Sequence, residues 1–371
     1  MHQFLNQSIA TVLEKASGQL HKKLPFVVYN KPNSDTLIGI FQKNATLHLV
    51  EDYNERGFVF APFNGNKIIC IPEKDSEIVL SEFKAIDDYK SVAILAEKED
   101  SEAKERYESI IQKAIVAIQS GNLSKVVLSR KEILKVSNFD FILVLQRLLH
   151  SYPSAFSYCF YHPQIGLWLG AFSEQLLKVE DTFFYTSAVA GTQLFEENKE
   201  VVWQTKEQQE QEFVSDFIIE KLNNSASEIK ISKPYTLKAG NLLHIKTDIE
   251  GKLNSNSNLK QVLEILHPTP AVCGLPLDKA KDFILNHESY DREYYSGFLG
   301  ELNTDFSNQK NATDLYVNLR CVKLDLVSQS ESIDAHLFVG GGITKDSIPE
   351  KEWNETVNKS QTIKKILDLA F

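Results

Sequence analysis

Two short acidic pairs, Glu207/Glu210 and Glu352/Glu355, have the spacing in this 371-residue chain that is best suited to chemistry. Residues three apart project from one face of a helix. At about 100° per residue, Glu207 and Glu210 fall in line with Val214, Phe217 and Ile218. Glu352 and Glu355 fall in line with Lys359, Ile363 and Ile366. The acids therefore continue apolar stripes instead of opposing them. Carboxylates facing a protein interior are costly unless a cation compensates them. Two helices that each offer a pair of oxygen ligands suit a hard divalent ion, Mg²⁺ first. The ordinary alternative is a solvated acidic first turn favoured by the helix dipole, and either pair alone reads that way.

The elements that must position these acids follow from periodicity. Helices are expected at about 139–150, 199–223, 257–266, 277–288 and 348–370. Another amphipathic helix carries Tyr107, Ile110, Ile111, Ala114 and Ile118 and stops at Gly121. The helix at 348 has a start signal in Ser347-Ile-Pro-Glu350, a capping box with proline in the first turn. Strands are expected at Lys125–Val136, Ala155–Tyr161, Ile165–Ala171, Thr182–Ser187, Leu242–Lys246, Tyr294–Leu302, Asp314–Lys323 and His336–Gly340. Several are only a few residues apart, too close for parallel crossovers, so antiparallel pairing is expected. The class is α+β, with large antiparallel sheets flanked by helices. Residues 1–100 mix short strand-like runs with turns, and the acidic stretch from about 72 to 105 is the best boundary.

Composition narrows the partners. With 40 basic against 50 acidic residues the formal charge is −10, and no basic stripe appears, which argues against nucleic acid or an anionic membrane. Cys70, Cys159, Cys273 and Cys321 lack C-x-x-C spacing and read as buried thiols of a reducing compartment. No apolar run is long enough for a signal peptide or a bilayer span. A cytoplasmic monomer that binds a small molecule is the expectation.

Further motifs follow in order. K-V-V-L-S-R begins at Lys125, with Lys125, Val127 and Ser129 on one side and Val126, Leu128 and Arg130 on the other. A lysine at a strand start is ordinarily solvated. Then come G-A-F-S-E (170–174), A-G-T (190–192), K-E-Q-Q-E (206–210), H-P-T-P-A (267–271), Y-S-G (295–297), Y-V-N-L-R (316–320) and G-G-G at Gly340, Gly341 and Gly342, leading to Lys359. A glycine run near a helix start offers backbone N–H groups to an anion, or is a plain turn.

Taken together, these motifs resemble the chorismate-utilising enzymes, the anthranilate synthase component I-like family, over about residues 104–369. Residues 1–100 match only the position of the family's variable N-terminal part. The resemblance implies one cleft for chorismate and Mg²⁺. It makes Glu210 and Glu355 direct metal ligands, while Glu207 and Glu352 reach the ion through water. Gly191, Thr192 and Lys359 would stand beside the ring carboxylate. Tyr295 and Arg320 would grip the enolpyruvyl carboxylate, for which a guanidinium fork is suited. His267 matches a residue near the departing hydroxyl, and a hydrogen-bonded structural histidine is an equal alternative.

Within the family, Ala190 stands where aminodeoxychorismate synthases carry a lysine nucleophile. Lys125 stands where the ammonia-using anthranilate synthases carry glutamine. Lysine there is the pattern of the water-using members, isochorismate and salicylate synthases. The resemblance thus implies isomerisation of chorismate to isochorismate: Lys125 as base for water attacking ring carbon 2, Glu174 as acid for the hydroxyl leaving carbon 4. A free lysine is only ~0.04% neutral at pH 7, so its environment must favour the amine. Glu174 must move up, facing an apolar pocket away from the metal. Salicylate synthases, which also eliminate pyruvate, tend to carry threonine where Ala271 stands. A non-catalytic chorismate-binding protein is the other alternative, against which the intact Lys125, Glu174 and four acids argue. The product would feed menaquinone or siderophore synthesis. Departures from the pattern are Gln211 for a histidine, Ser173 for a proline, no arginine soon after Gly191-Thr192, and a longer hairpin between Tyr295 and Arg320.

Overall fold

Alternation along the strands determines the layers. The computed structural model describes residues 5–86, 100–197, 200–239, 242–255, 257–326 and 332–367. In the strand Phe26–Asn30, Val27 and Tyr29 join one core cluster while Phe26 and Val28 join another. In Phe156–His162, Phe156, Tyr158 and Phe160 face the first of these, and Cys159 and Tyr161 the second. A strand buried on both faces must lie inside a layered structure.

Two ten-stranded sheets result. The first runs in space through Leu5–Asn6, Ser76–Glu82, Thr36–Gln42, Phe26–Asn30, Phe156–His162, Gly166–Phe172, Cys321–Asp325, Ser332–Ile343, Lys125–Ser137 and Gly274–Leu275. The second runs through Ala226–Ile231, Leu242–Leu253, Phe183–Leu194, Gln175–Glu180, Ala312–Val317, Phe298–Leu302, Gly57–Ala61, Ile69–Pro72 and His48–Leu49; Tyr235–Ala239 also pairs with Leu242–Leu253. Pairing is antiparallel except between Leu5–Asn6 and Ser76–Glu82.

Aromatic side chains of both sheets, among them Phe58, Phe60, Phe156, Trp168, Tyr316 and Phe338, fill the space between them. Seven α-helices among the described residues cover the outer faces: α1 Ile9–His21, α2 Ser101–Gln119, α3 Phe141–Ser151, α4 Thr205–Leu222, α5 Leu259–Leu266, α6 Leu277–His287 and α7 Pro349–Leu367. Helices α1, α3 and α7 pack on the first sheet, and α4 and α5 on the second. The α+β class with large antiparallel sheets is the observed one.

Several elements differ in extent from the sequence reading, two of them beside the cleft. The strand expected over Asp314–Lys323 is two strands in different sheets, because the chain crosses between them at Arg320, whose φ is +44°. The helix expected from 199 begins at Thr205; residues 198–199 lie outside the described residues, and the Trp203 indole donates to Thr236 Oγ1 instead of joining the helix. Ser347 Oγ accepts from the N–H of Thr344, closing the turn before α7. The boundary expected between 72 and 105 falls partly on residues 87–99, outside the described residues.

Candidate active site

The cleft opens where the two sheets part, beside the Arg320 crossing. Glu174 ends the link between Gly166–Phe172 of the first sheet and Gln175–Glu180 of the second, and faces this space. Gly191, Thr192, Ala271, Tyr295, Arg320, Gly340, Gly341, Gly342 and Lys359 also line it, as do Glu207, Glu210 and Glu355. Lys125, Glu352 and His267 do not line its surface.

The glycine run belongs to a strand and not to a turn at a helix start. Gly340, Gly341 and Gly342 pair with Ser129, Leu128 and Val127. Their missing side chains make room for carboxylates. A Cβ on Gly342 would collide with Glu210 Oε1, and one on Gly341 would stand 3.4 Å from Glu355 Oε1 and 3.8 Å from Glu352 Oε2. A Cβ on Gly191, where φ is +73°, would stand 2.9 Å from Glu207 Cβ. At Gly342 and Gly191 this close approach requires glycine, and at Gly191 the backbone conformation does so as well. A Cβ on Gly341 would be left in ordinary contact with the acids of α7. Acids from α4 and α7 thus meet over the same strand.

Two lysines attend these acids. Lys125 is fully buried and its Nζ lies 2.9 Å from Glu210 Oε1. Lys359 Nζ donates to Glu355 Oε1 at 2.6 Å and to the Gly340 carbonyl at 3.0 Å. No three of the acids converge on one centre among the described residues. The donor set nonetheless fits a hard dication: it is all carboxylate, and Glu207 Oε2 is buried without a hydrogen-bond partner. An oxygen left unpaired in that position is what a cation would satisfy.

On the other wall stands Arg320. No carboxylate among the described residues comes within ion-pair distance of it, and burial disfavours its charge. A guanidinium in this state suits an anionic ligand. Its Nη2 lies 3.2 Å from His244 Nε2, and His244 Nδ1 lies 3.0 Å from the Gly191 carbonyl and 3.3 Å from Thr192 Oγ1. The register of Phe183–Leu194 against Leu242–Leu253 shifts between Ala190 and Gln193, so Gly191 and Thr192 bulge opposite His244. Burial, then the positive charges of Arg320 and Lys359, lower the His244 pKa to about 3.

Glu174 has the opposite displacement. Loss of hydration raises its carboxyl to about 7, against the lowering influence of Lys125, Lys359 and Arg320. Tyr295 stacks on Phe338 with ring centroids 5.6 Å apart, and burial raises its phenol. Behind it the buried Arg292 pairs with Glu288 at 2.6 Å and donates to the carbonyls of Val127 and Val272, tying two walls of the cleft together.

His267 points elsewhere. Its Nε2 is 3.1 Å from the Pro62 carbonyl, its ring packs edge-on to Phe298, and burial lowers its pKa to about 4. Gln211 also faces away from the cleft, donating to Thr247 Oγ1 at 2.7 Å and so holding α4 against the second sheet. Sequence reasoning missed His244. Alternation groups it with Lys246 and Asp248 on the polar face of its strand, where a histidine reads as solvated.

A family model described as "Chorismate binding enzyme" matches residues 68–368. The chain belongs to the chorismate binding enzyme family. Isochorismate synthase EntC of Escherichia coli (strain K12) is 29% identical over 273 residues, covering 71% of this chain and 67% of that one. The crystal structure of the putative 2,3-dihydroxybenzoate-specific isochorismate synthase DhbC from Bacillus anthracis superposes with a TM-score of 0.77 at 22% identity, covering 97% of this chain and 100% of that one. Anthranilate synthase component I from Streptococcus pneumoniae TIGR4 superposes at 0.64 with 18% identity, over 91% and 89%. This chorismate binding enzyme thus shares its fold with proteins named for different reactions, so the reaction must be read from side chains. No helix among its described residues is long and apolar enough to cross a membrane.

Proposed function

We propose that this chain is an isochorismate synthase, a Mg²⁺-dependent isomerase that acts as a cytoplasmic monomer. Glu174 carries the reading: a carboxyl on the cleft wall, raised to about 7 by burial, holds a proton near neutral pH for delivery to a leaving hydroxyl. Ala190 supplies no amine that could attack the ring. Water is then the nucleophile, and Lys125, beside the cleft under Gly342, is the base that takes its proton. The water oxygen bonds to ring carbon 2, the ring double bonds shift, and the carbon-4 hydroxyl leaves with the Glu174 proton. Substrate and product are isomers, so no other reagent is consumed.

Glu207, Glu210, Glu352 and Glu355 would hold the dication. When bound, it would neutralise the ring carboxylate's charge and add to substrate affinity. Lys359, Gly191 and Thr192 border the same region, and Arg320 with Tyr295 takes the enolpyruvyl carboxylate. Ala271 in the cleft wall, where salicylate-forming members tend to carry threonine, supports stopping at isochorismate.

Purified protein given chorismate and Mg²⁺ should form isochorismate without free pyruvate, and EDTA should abolish turnover. Stoichiometric pyruvate with salicylate would move the assignment to salicylate synthase. Ammonium-dependent anthranilate would sink the water-using reading.

A further inference from the structure

Arg320 and the Gly191–Thr192 bulge stand on different walls of the cleft, and His244 links them. A carbonyl oxygen only accepts and a guanidinium only donates. One form of the ring satisfies both: neutral imidazole with its proton on Nδ1, donating to Gly191 and accepting from Arg320 at Nε2. The surroundings keep the ring neutral, since burial and the charges of Arg320 and Lys359 lower the His244 pKa to about 3. Arg320 itself sits in the left-handed backbone region at φ +44°, at the point where the chain changes sheets. A non-glycine residue there is held by its surroundings, and His244 supplies the hydrogen bond on the cleft side.

We propose that His244 is a positioning residue that sets substrate specificity. It fixes the Arg320 guanidinium at one distance from the Gly191–Thr192 bulge, so that two carboxylates of one dianion are gripped at a set spacing. The inference rests on the chorismate reading above, which places one carboxylate in each subsite. A ligand with a single carboxylate occupies one subsite and gains nothing from the spacing.

The test measures equilibrium binding of chorismate and of shikimate, a ring with one carboxylate, by calorimetry. Wild type is compared with His244→Leu, His244→Gln, Arg320→Gln and the Arg320→Gln/His244→Leu double variant. A lost hydrogen bond to a charged group predicts that His244→Leu weakens chorismate about tenfold to a hundredfold. Shikimate binding should stay within about twofold. Glutamine, which both donates and accepts, should restore most of the loss. In the Arg320→Gln background, His244→Leu should cost nothing further, because the two residues act as a unit. Equal weakening of both ligands, fully additive losses, or failure of glutamine to rescue would each overturn the proposal. Wild type that binds with this pattern but forms no isochorismate would sink the reaction assignment and leave the His244 role standing.

Discussion

Glu174 is where environment most visibly sets chemistry. Its carboxyl is protonated below about 7 and ionised above it. Delivery of a proton to the leaving hydroxyl requires the protonated form, so kcat/KM for chorismate should fall as pH rises through that value. Glu174→Gln removes the donor and should cost ~10²–10⁴ in rate while chorismate still binds. Its residual activity should also lose the alkaline fall. A Glu174→Gln profile that keeps the wild-type alkaline limb would assign that limb to another group. In the reverse direction Glu174 must act as base, so each single variant should be impaired equally both ways, one transition state serving both. Lys125→Ala should lose the isomerisation over the same range of rate. Near wild-type single-turnover rates in Lys125→Ala would end its assignment as base.

The element scale explains why helix acids and strand glycines belong to one device. Helix α4 brings the Glu210 carboxylate onto the strand Ser332–Ile343 only because Gly342 carries no side chain, and the acids of α7 come within van der Waals reach of Gly341 on the same strand. Gly342→Ala should therefore displace Glu210 and weaken Mg²⁺ affinity while circular dichroism and melting stay close to wild type. Unchanged Mg²⁺ titration in Gly342→Ala would separate the glycine from the metal-side acids. Glu210→Gln or Glu355→Gln should lose most Mg²⁺ affinity with the fold retained. The acids were legible in the sequence because helical period alone tells which stripe they continue. The expected strand stops at Gly340, and its continuation through Gly341 and Gly342 was not legible, since G-G-G carries no side-chain pattern to read. The break at Arg320 was hidden for the opposite reason: L-Y-V-N-L-R-C-V-K-L reads as one continuous apolar strand, and only the separation of the two sheets divides it. His267 matched a family position, yet its bond to Pro62 depends on a residue about two hundred positions away that no local pattern could supply.

At the scale of the molecule, the segment before residue 87 is structural for the cleft despite contributing no residue to its lining. Phe26–Asn30 pairs directly with Phe156–His162 in the first sheet, and Gly57–Ala61 with Phe298–Leu302 in the second. A buried ion pair reinforces the join: Lys31 reaches Glu301, which is fully buried and also accepts from the Tyr29 hydroxyl at 2.5 Å. Gln175, the neighbour of Glu174, donates to Asp314 in the same cluster at 2.6 Å. Burial raises the Glu301 carboxyl to about 7 even with Lys31 beside it. Lys31→Met should therefore destabilise the whole protein by up to ~3–5 kcal/mol well above that pH and by less below it, where Glu301 takes a proton. The loss should appear in a single cooperative denaturant transition, with tryptophan fluorescence and far-ultraviolet circular dichroism moving together. A chain beginning at residue 100 would expose the edges of Phe156–His162 and Phe298–Leu302 together with the aromatic core between the sheets, and should aggregate instead of folding. A soluble truncated chain with a cooperative melt and measurable chorismate binding would show that the cleft is independent of the segment before residue 100, and would contradict the two-sheet account of how it is held.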